Sequence, residues 1–420
     1  MDRIIVAGGN RLQGEVEASG SKNSCLALLA ASILAEGPSI IENVPDLRDV
    51  DAMLELLRAL GLDATRDADD PSTVNIEPRG ALQPEAPYDV VRKMRASFMV
   101  LGPLLARVGH ARVSEPGGCA IGVRPVDQHL KGLAALGAKI GLEHGYVEAA
   151  ATRLDGARFR FDMVTVNGTQ NIMMAATLAR GETVIENAAR EPEVVELAEF
   201  LCRMGADVRG AGSDRIVVDG VSTLRGVRHR VAGDRIEAGT LLLAGVATQG
   251  DVTVRGVDPA DMESTLDKIR EVGAEVEVGA GFVRAGMAQR AKGIQVVTAP
   301  IPGFPTDMQA QFMAALTVAE GSSLVTETVF ENRFMHVPEL QRLGADITLS
   351  GRSAHVRGVP QLSGAPVMAT DLRASAGLLV AGLAATGETV VNRVYHIDRG
   401  YERIEEKLSR LGGNIRRERE

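Results

Sequence analysis

The chain has 420 residues, 45% hydrophobic and 24% charged, the balance of a soluble globular protein with enough length for two or three domains. Aromatic residues make up only 3%, there is no Trp and the net charge is −9, which tells against a stacking platform for single strands and against nucleic acid or a membrane as main partner. Cys25, Cys119 and Cys202 are its three cysteines; they form no disulfide framework and fit a reducing cytoplasm.

The first ten residues carry too short an apolar run for a signal peptide, and no apolar run reaches the roughly 18–20 residues of a membrane span. Residues 1–21 read as strands, with Ile4-Ile5-Val6 followed by alternation from Leu12 to Glu17. At 24–35 a helix is expected that is apolar on nearly every side, and such a helix is buried on every side. A strand at 38–42 follows, then an amphipathic helix ending in Arg58-Ala59-Leu60-Gly61.

The same series returns five times. Further buried helices are expected at 96–107, 172–179, 238–248, 309–319 and 374–385. Amphipathic helices close on Gly137, Gly205, Gly273, Gly344 and Gly412, spaced 76, 68, 68, 71 and 68 residues apart counting from Gly61. A near-constant period marks a repeat architecture, and each glycine reads as the residue just past a helix end. Six units divide as three and three, so that three buried helices meet at an axis with sheets outside them. The expected domains are 22–232 and 1–21 plus 233–420, with a ligand cleft between them.

No P-loop, dinucleotide fingerprint, nucleophile elbow or metal-ligand spacing is present. What stands out is charge at helix starts. Lys22, in Ser19-Gly20-Ser21-Lys22-Asn23, opens the first buried helix, where backbone donors favour an anion; Ser21 is suited to cap it. Arg95 and Arg373 precede the second and sixth buried helices, and Arg333 and Arg399 are expected in loops after strands. Guanidinium forks at equivalent ends suit phosphate and carboxylate. Asp307 opens the fifth buried helix, either as a cap or as a proton acceptor for a hydroxyl. Between Ser114 and Gln128, Gly117, Gly118 and Gly122 surround Cys119, with Arg124 five residues on and a helix expected from Pro125. Nearby positive charge favours a reactive thiolate.

Together, segments 19–23, 116–127, 186–193, 304–312, 331–338, 368–375 and 395–402 resemble the UDP-N-acetylglucosamine enolpyruvyl transferase family over essentially the whole chain. The resemblance implies an α/β fold: a two-domain inside-out α/β barrel of six repeated units, three per domain, with helices inside and sheets outside. It implies transfer of the enolpyruvyl group of phosphoenolpyruvate to the 3′-hydroxyl of UDP-N-acetylglucosamine with release of phosphate, the first committed step of bacterial peptidoglycan synthesis. No metal or organic cofactor, nucleic acid, membrane or obligate protein partner is implied.

On the matching positions, Cys119 resembles the acid that protonates the methylene carbon of phosphoenolpyruvate and the thiol alkylated by fosfomycin. Asp307 resembles the base for the 3′-hydroxyl. Lys22, Arg124 and Arg399 resemble phosphate-side contacts, with Arg333 and Arg373 in the same cationic cleft. Asn23, Arg95, Arg124, Pro125, Val126, Asp127, Gln128, Thr165, Val166, Asp307 and Val329 resemble contacts to the nucleotide sugar. Met163 stands where some relatives carry a Lys that touches the nucleotide. The glycine-rich segment is expected to close over bound nucleotide sugar and carry Cys119 inward. A shikimate-pathway enolpyruvyl transferase, which lacks the cysteine loop, and a non-catalytic nucleotide-sugar-binding regulator are the alternatives.

Overall fold

Helices without a polar face set the architecture. In the computed structural model, which describes residues 2–92, 94–115 and 126–419, the helix Lys22–Ala31 is buried at every position but Asn23. Among the described residues the chain divides into two units, one of 20–115 and 126–232 and the other of 2–19 and 233–419. Gly20 and Ser21, expected with residues 1–19, lie in the former. There Ser21 N donates to Ala232 O at 2.7 Å, and the Ser21 hydroxyl caps Lys22–Ala31 by accepting from Ser24 N at 3.3 Å.

The unit containing residue 20 has the core helices Lys22–Ala31, Leu101–Val108 and Val166–Ala176. Three four-stranded sheets accompany them. One runs Arg228–Arg230, Ser39–Glu42, Val74–Pro78, Leu62–Arg66; the next Glu85–Ala86, His110–Ser114, Tyr146–Ala150, Lys139–Glu143; the third Arg158–Arg160, Glu182–Glu186, Arg215–Asp219, Asp207–Arg209. Each has one parallel pair followed by two antiparallel pairs. One hydrophobic core runs from Cys25 to Val231.

The other unit repeats this plan around Arg235–Ala247, Gln309–Leu316 and Leu372–Ala384, with its own core from Ile4 to Ile415. Here the chain's start supplies two missing strands. Gln13–Glu17 pairs in parallel with Asp251–Arg255, as Gln295–Val297 does with Ser322–Thr326. Arg3–Ala7 lies between Glu388–Asn392 and Asn414–Glu418, antiparallel to both. It fills the position that Ser353–Arg357 fills in the preceding repeat.

The six repeat glycines all have left-handed backbone, with φ between 90° and 112°, as the end of an amphipathic helix requires. Within the cores glycine serves close approach instead. A Cβ on Gly377 would sit 2.8 Å from Ala310 O on the neighbouring core helix.

Several expected boundaries move. The helix expected at 172–179 is Val166–Ala176, because the Thr165 hydroxyl caps it through Gly168 N at 3.2 Å. Its polar first turns are buried and bonded: Thr169 Oγ1 donates to Thr165 O, and Asn171 Oδ1 accepts from Gly102 N at 2.7 Å. The helix expected from Pro125 begins at Asp127. The second buried helix is split into a 3₁₀ turn, Arg95–Val100, and the helix Leu101–Val108. No helix among the described residues is long and apolar enough to cross a membrane.

Candidate active site

In the unit of residues 20–232, the candidate residues gather at helix starts, where main-chain N–H groups lack helical partners. Lys22 is the first residue of its core helix and Asn23 the second. The Lys22 ammonium pairs with Asp49 at 2.9 Å, on the helix Arg48–Ala59. Arg95, half-buried, opens the 3₁₀ turn before Leu101–Val108. Thr165 and Val166 cap and open the third core helix. Met163, ahead of them, is exposed.

Val126 and Gln128 are buried and Asp127 exposed at the start of Asp127–Ala135. The Gln128 amide donates to the carboxylates of Asp127 at 2.9 Å and Asp162 at 3.0 Å, and its oxygen accepts from Asp162 N at 3.0 Å. Next to it, His129 is buried with Nδ1 2.9 Å from the Asn171 amide nitrogen. Burial, and secondly the charge of Arg95, lowers its pKa to about 4. It is therefore a neutral imidazole near neutral pH.

The unit of residues 2–19 and 233–419 brings together Asp307, Arg333 and Arg373. Asp307 lies in the 3₁₀ turn Thr306–Met308 that leads into Gln309–Leu316. It occupies the N-cap position of neither element, since Pro305 precedes the turn and Met308 the helix, contrary to the simplest reading of an Asp at a helix start. One carboxylate oxygen accepts from Arg333 Nη2 at 2.9 Å and the other from Arg373 Nη2 at 3.2 Å. Both arginines are almost fully buried. Gln311 Nε2 holds the Asp307 main-chain oxygen at 2.9 Å and also reaches Tyr401 Oη at 3.0 Å.

Arg373 is the second residue of Leu372–Ala384, whose N-terminus Asp371 caps. Its guanidinium lies 5.3 Å from the centre of the Tyr401 ring. Burial works against the Arg373 charge, but Asp307 and Tyr401 more than offset it and hold the guanidinium above its ordinary pKa. His336, buried nearby, is pushed down to about 4 by burial, with Asp371 opposing that shift and Arg333 adding to it.

Arg399, expected in a loop, is instead the last residue of the 3₁₀ helix Val394–Arg399, which packs against Leu372–Ala384. Burial first, then Arg399, lowers the pKa of His396. Val329 follows the strand Ser322–Thr326, and its N–H donates to the Glu327 carboxylate at 2.8 Å. Cys119, Arg124 and Pro125 lie outside the described residues.

Asp49, Thr306, Glu327, His336 and Tyr401 were not expected at the site from sequence. Each acts through partners distant in the chain, and only a buried carboxylate at a strand end, as Glu327 is, could have been suspected from the pattern.

A family model described as EPSP synthase (3-phosphoshikimate 1-carboxyvinyltransferase) matches residues 6–408. UDP-N-acetylglucosamine 1-carboxyvinyltransferase of Myxococcus xanthus is 56% identical over 419 residues, and that of an Anaeromyxobacter strain 59% over 421, each covering 100% of both chains. The chain belongs to the UDP-N-acetylglucosamine 1-carboxyvinyltransferase family. The fold agrees with this family and with enolpyruvyl transferases more widely. The enolpyruvyl transferase NikO of Streptomyces tendae superposes with a TM-score of 0.89 at 29% identity, covering 99% of this chain and 98% of that one. Three four-stranded sheets and three core helices per unit, with one two-stranded sheet besides in the unit of residues 2–19 and 233–419, are the inside-out α/β barrel expected for this family.

Proposed function

We propose that this chain transfers the enolpyruvyl group of phosphoenolpyruvate to the 3′-hydroxyl of UDP-N-acetylglucosamine, releasing phosphate, and so carries out the first committed step of peptidoglycan synthesis. The observation that carries this reading is likeness to carboxyvinyltransferases of that nucleotide sugar along the whole chain. The geometry of Asp307 supports it. Two buried guanidiniums fix the orientation of a carboxylate, a group able to take the proton of an attacking hydroxyl.

The reaction is an addition followed by an elimination. The 3′-oxygen bonds to C2 of phosphoenolpyruvate as its proton passes to Asp307, and Cys119 protonates the methylene carbon to a methyl group. Return of a methyl proton to the Cys119 thiolate, and departure of phosphate with the proton held by Asp307, then restore the double bond and both groups. The carboxylate and phosphate of the substrate are anions, and Lys22, Arg124 and Arg399, with Arg333 and Arg373, supply the opposing charge. Asn23, Arg95, Pro125, Val126, Asp127, Gln128, Thr165, Val166 and Val329 contact the nucleotide sugar in this proposal. The reaction uses no metal or cofactor and runs in the cytoplasm, a location supported by the free thiols of Cys25 and Cys202.

The shikimate-pathway alternative shares the fold and the first substrate. Measuring phosphate release from phosphoenolpyruvate with UDP-N-acetylglucosamine and with shikimate 3-phosphate separates the two. Release with the nucleotide sugar alone is expected. Tight binding of the nucleotide sugar without phosphate release would favour the regulator reading.

A further inference from the structure

Glu327 is 1% exposed, and none of the described Lys, Arg or His side chains forms an ion pair with it. A buried carboxylate is costly unless donors surround it. Four do. One oxygen accepts from Thr298 Oγ1 at 2.8 Å, Val329 N at 2.8 Å and Phe330 N at 3.1 Å. The other accepts from Thr306 Oγ1 at 2.8 Å. Thr306 has a single hydroxyl proton and gives it to Glu327, so it can only accept from Arg333 Nη1, 3.2 Å away. Arg333 then has Nη2 directed to Asp307.

We propose that Glu327 is a positioning residue for the transferase reaction, resting on the function given above. It fixes the segment that presents Val329 and, through Thr306 and Arg333, the orientation of the Asp307 carboxylate. Three donors meet on one oxygen, so a Gln amide that keeps its oxygen there turns its N–H toward Thr306, whose hydroxyl must then accept where it had donated, and the carboxylate charge is lost. The role joins the acceptor-sugar contact to the proton acceptor and, through Arg333, to the cationic groups proposed to face phosphoenolpyruvate.

The test is steady-state kinetics of Glu327→Gln, Thr306→Val and Thr306→Ser, with thermal melting of each. Misplacing a reacting group by about 1 Å costs on the order of 100-fold in rate. Glu327→Gln and Thr306→Val are expected to lose about 10- to 100-fold in kcat. The KM for UDP-N-acetylglucosamine rises in Glu327→Gln. Thr306→Ser, which keeps the hydroxyl, recovers most of the rate. Folded variants with a lower melting temperature but wild-type kcat and both KM values would reduce Glu327 to a structural fastening and overturn the proposal. Should Glu327→Gln not fold, the Thr306 pair decides: equal rates for Val and Ser overturn it. Wild-type protein that releases no phosphate with UDP-N-acetylglucosamine would instead refute the underlying function.

Discussion

The Lys22 ammonium meets the Asp49 carboxylate at 2.9 Å, with side chains only 11% and 4% exposed. The Lys22 cation at a helix start is thus held by a carboxylate on a second helix, which would orient it toward the anionic substrate proposed above. Removing one partner of a buried pair leaves the other charge short of compensation, at a cost of about 3–5 kcal/mol. Asp49→Ala is expected to lower stability by about that amount and to raise the KM for phosphoenolpyruvate. Urea denaturation and initial rates check both; unchanged values would mean that Asp49 does not orient Lys22.

Asp307→Ala is expected to cut kcat by about 10²–10⁴-fold, the usual worth of a proton acceptor, with a smaller effect on substrate affinity. The variant also leaves Arg333 and Arg373 buried without that carboxylate, so its melting temperature falls as well. A raised KM with kcat intact would make Asp307 a binding residue only.

The environment of Cys25 differs from the one inferred for Cys119. Burial pushes the Cys25 thiol up to about 12, so it stays protonated and unreactive at neutral pH. Incubation with fosfomycin followed by peptide mapping is expected to place added mass on the Cys119 peptide and none on Cys25. Cys119→Ala is expected to lose nearly all turnover while keeping nucleotide-sugar binding. Wild-type turnover in that variant would remove the acid role.

How far the sequence predicts the molecule depends on how local the cause is. Gly61, Gly137, Gly205, Gly273, Gly344 and Gly412 mark helix ends because a left-handed residue is a local demand, and all six adopt it. All-apolar helices likewise declare their burial. The start of Val166–Ala176 is hidden in the polar run Asn167-Gly168-Thr169-Gln170-Asn171, whose bonds are tertiary: Gly102 N donates to Asn171 Oδ1 and Glu193 O accepts from Gln170 Nε2. The bonds of Arg333 and Arg373 to Asp307 are not legible from local pattern, since 26 and 66 residues separate these arginines from it.

His129 gives a pH dependence of stability. Its pKa is lowered to about 4 in the fold, by burial first and Arg95 second, against about 6.5 in an unfolded chain. Between those values the unfolded chain binds the extra proton, so stability is full above about pH 6.5 and falls as pH drops toward 4. The loss is on the order of 3 kcal/mol at the low end. Urea midpoints at pH 7.5 and 5 measure it, and His129→Gln is expected to flatten the difference. An unchanged slope in that variant would assign the acid sensitivity elsewhere.

The central claim is tested most directly by mixing the protein with phosphoenolpyruvate and UDP-N-acetylglucosamine, then following phosphate and the mass of the nucleotide sugar together. One phosphate released for each nucleotide sugar that gains an enolpyruvyl group is the predicted result. Phosphate released only with shikimate 3-phosphate, or a nucleotide sugar recovered unchanged, would contradict it.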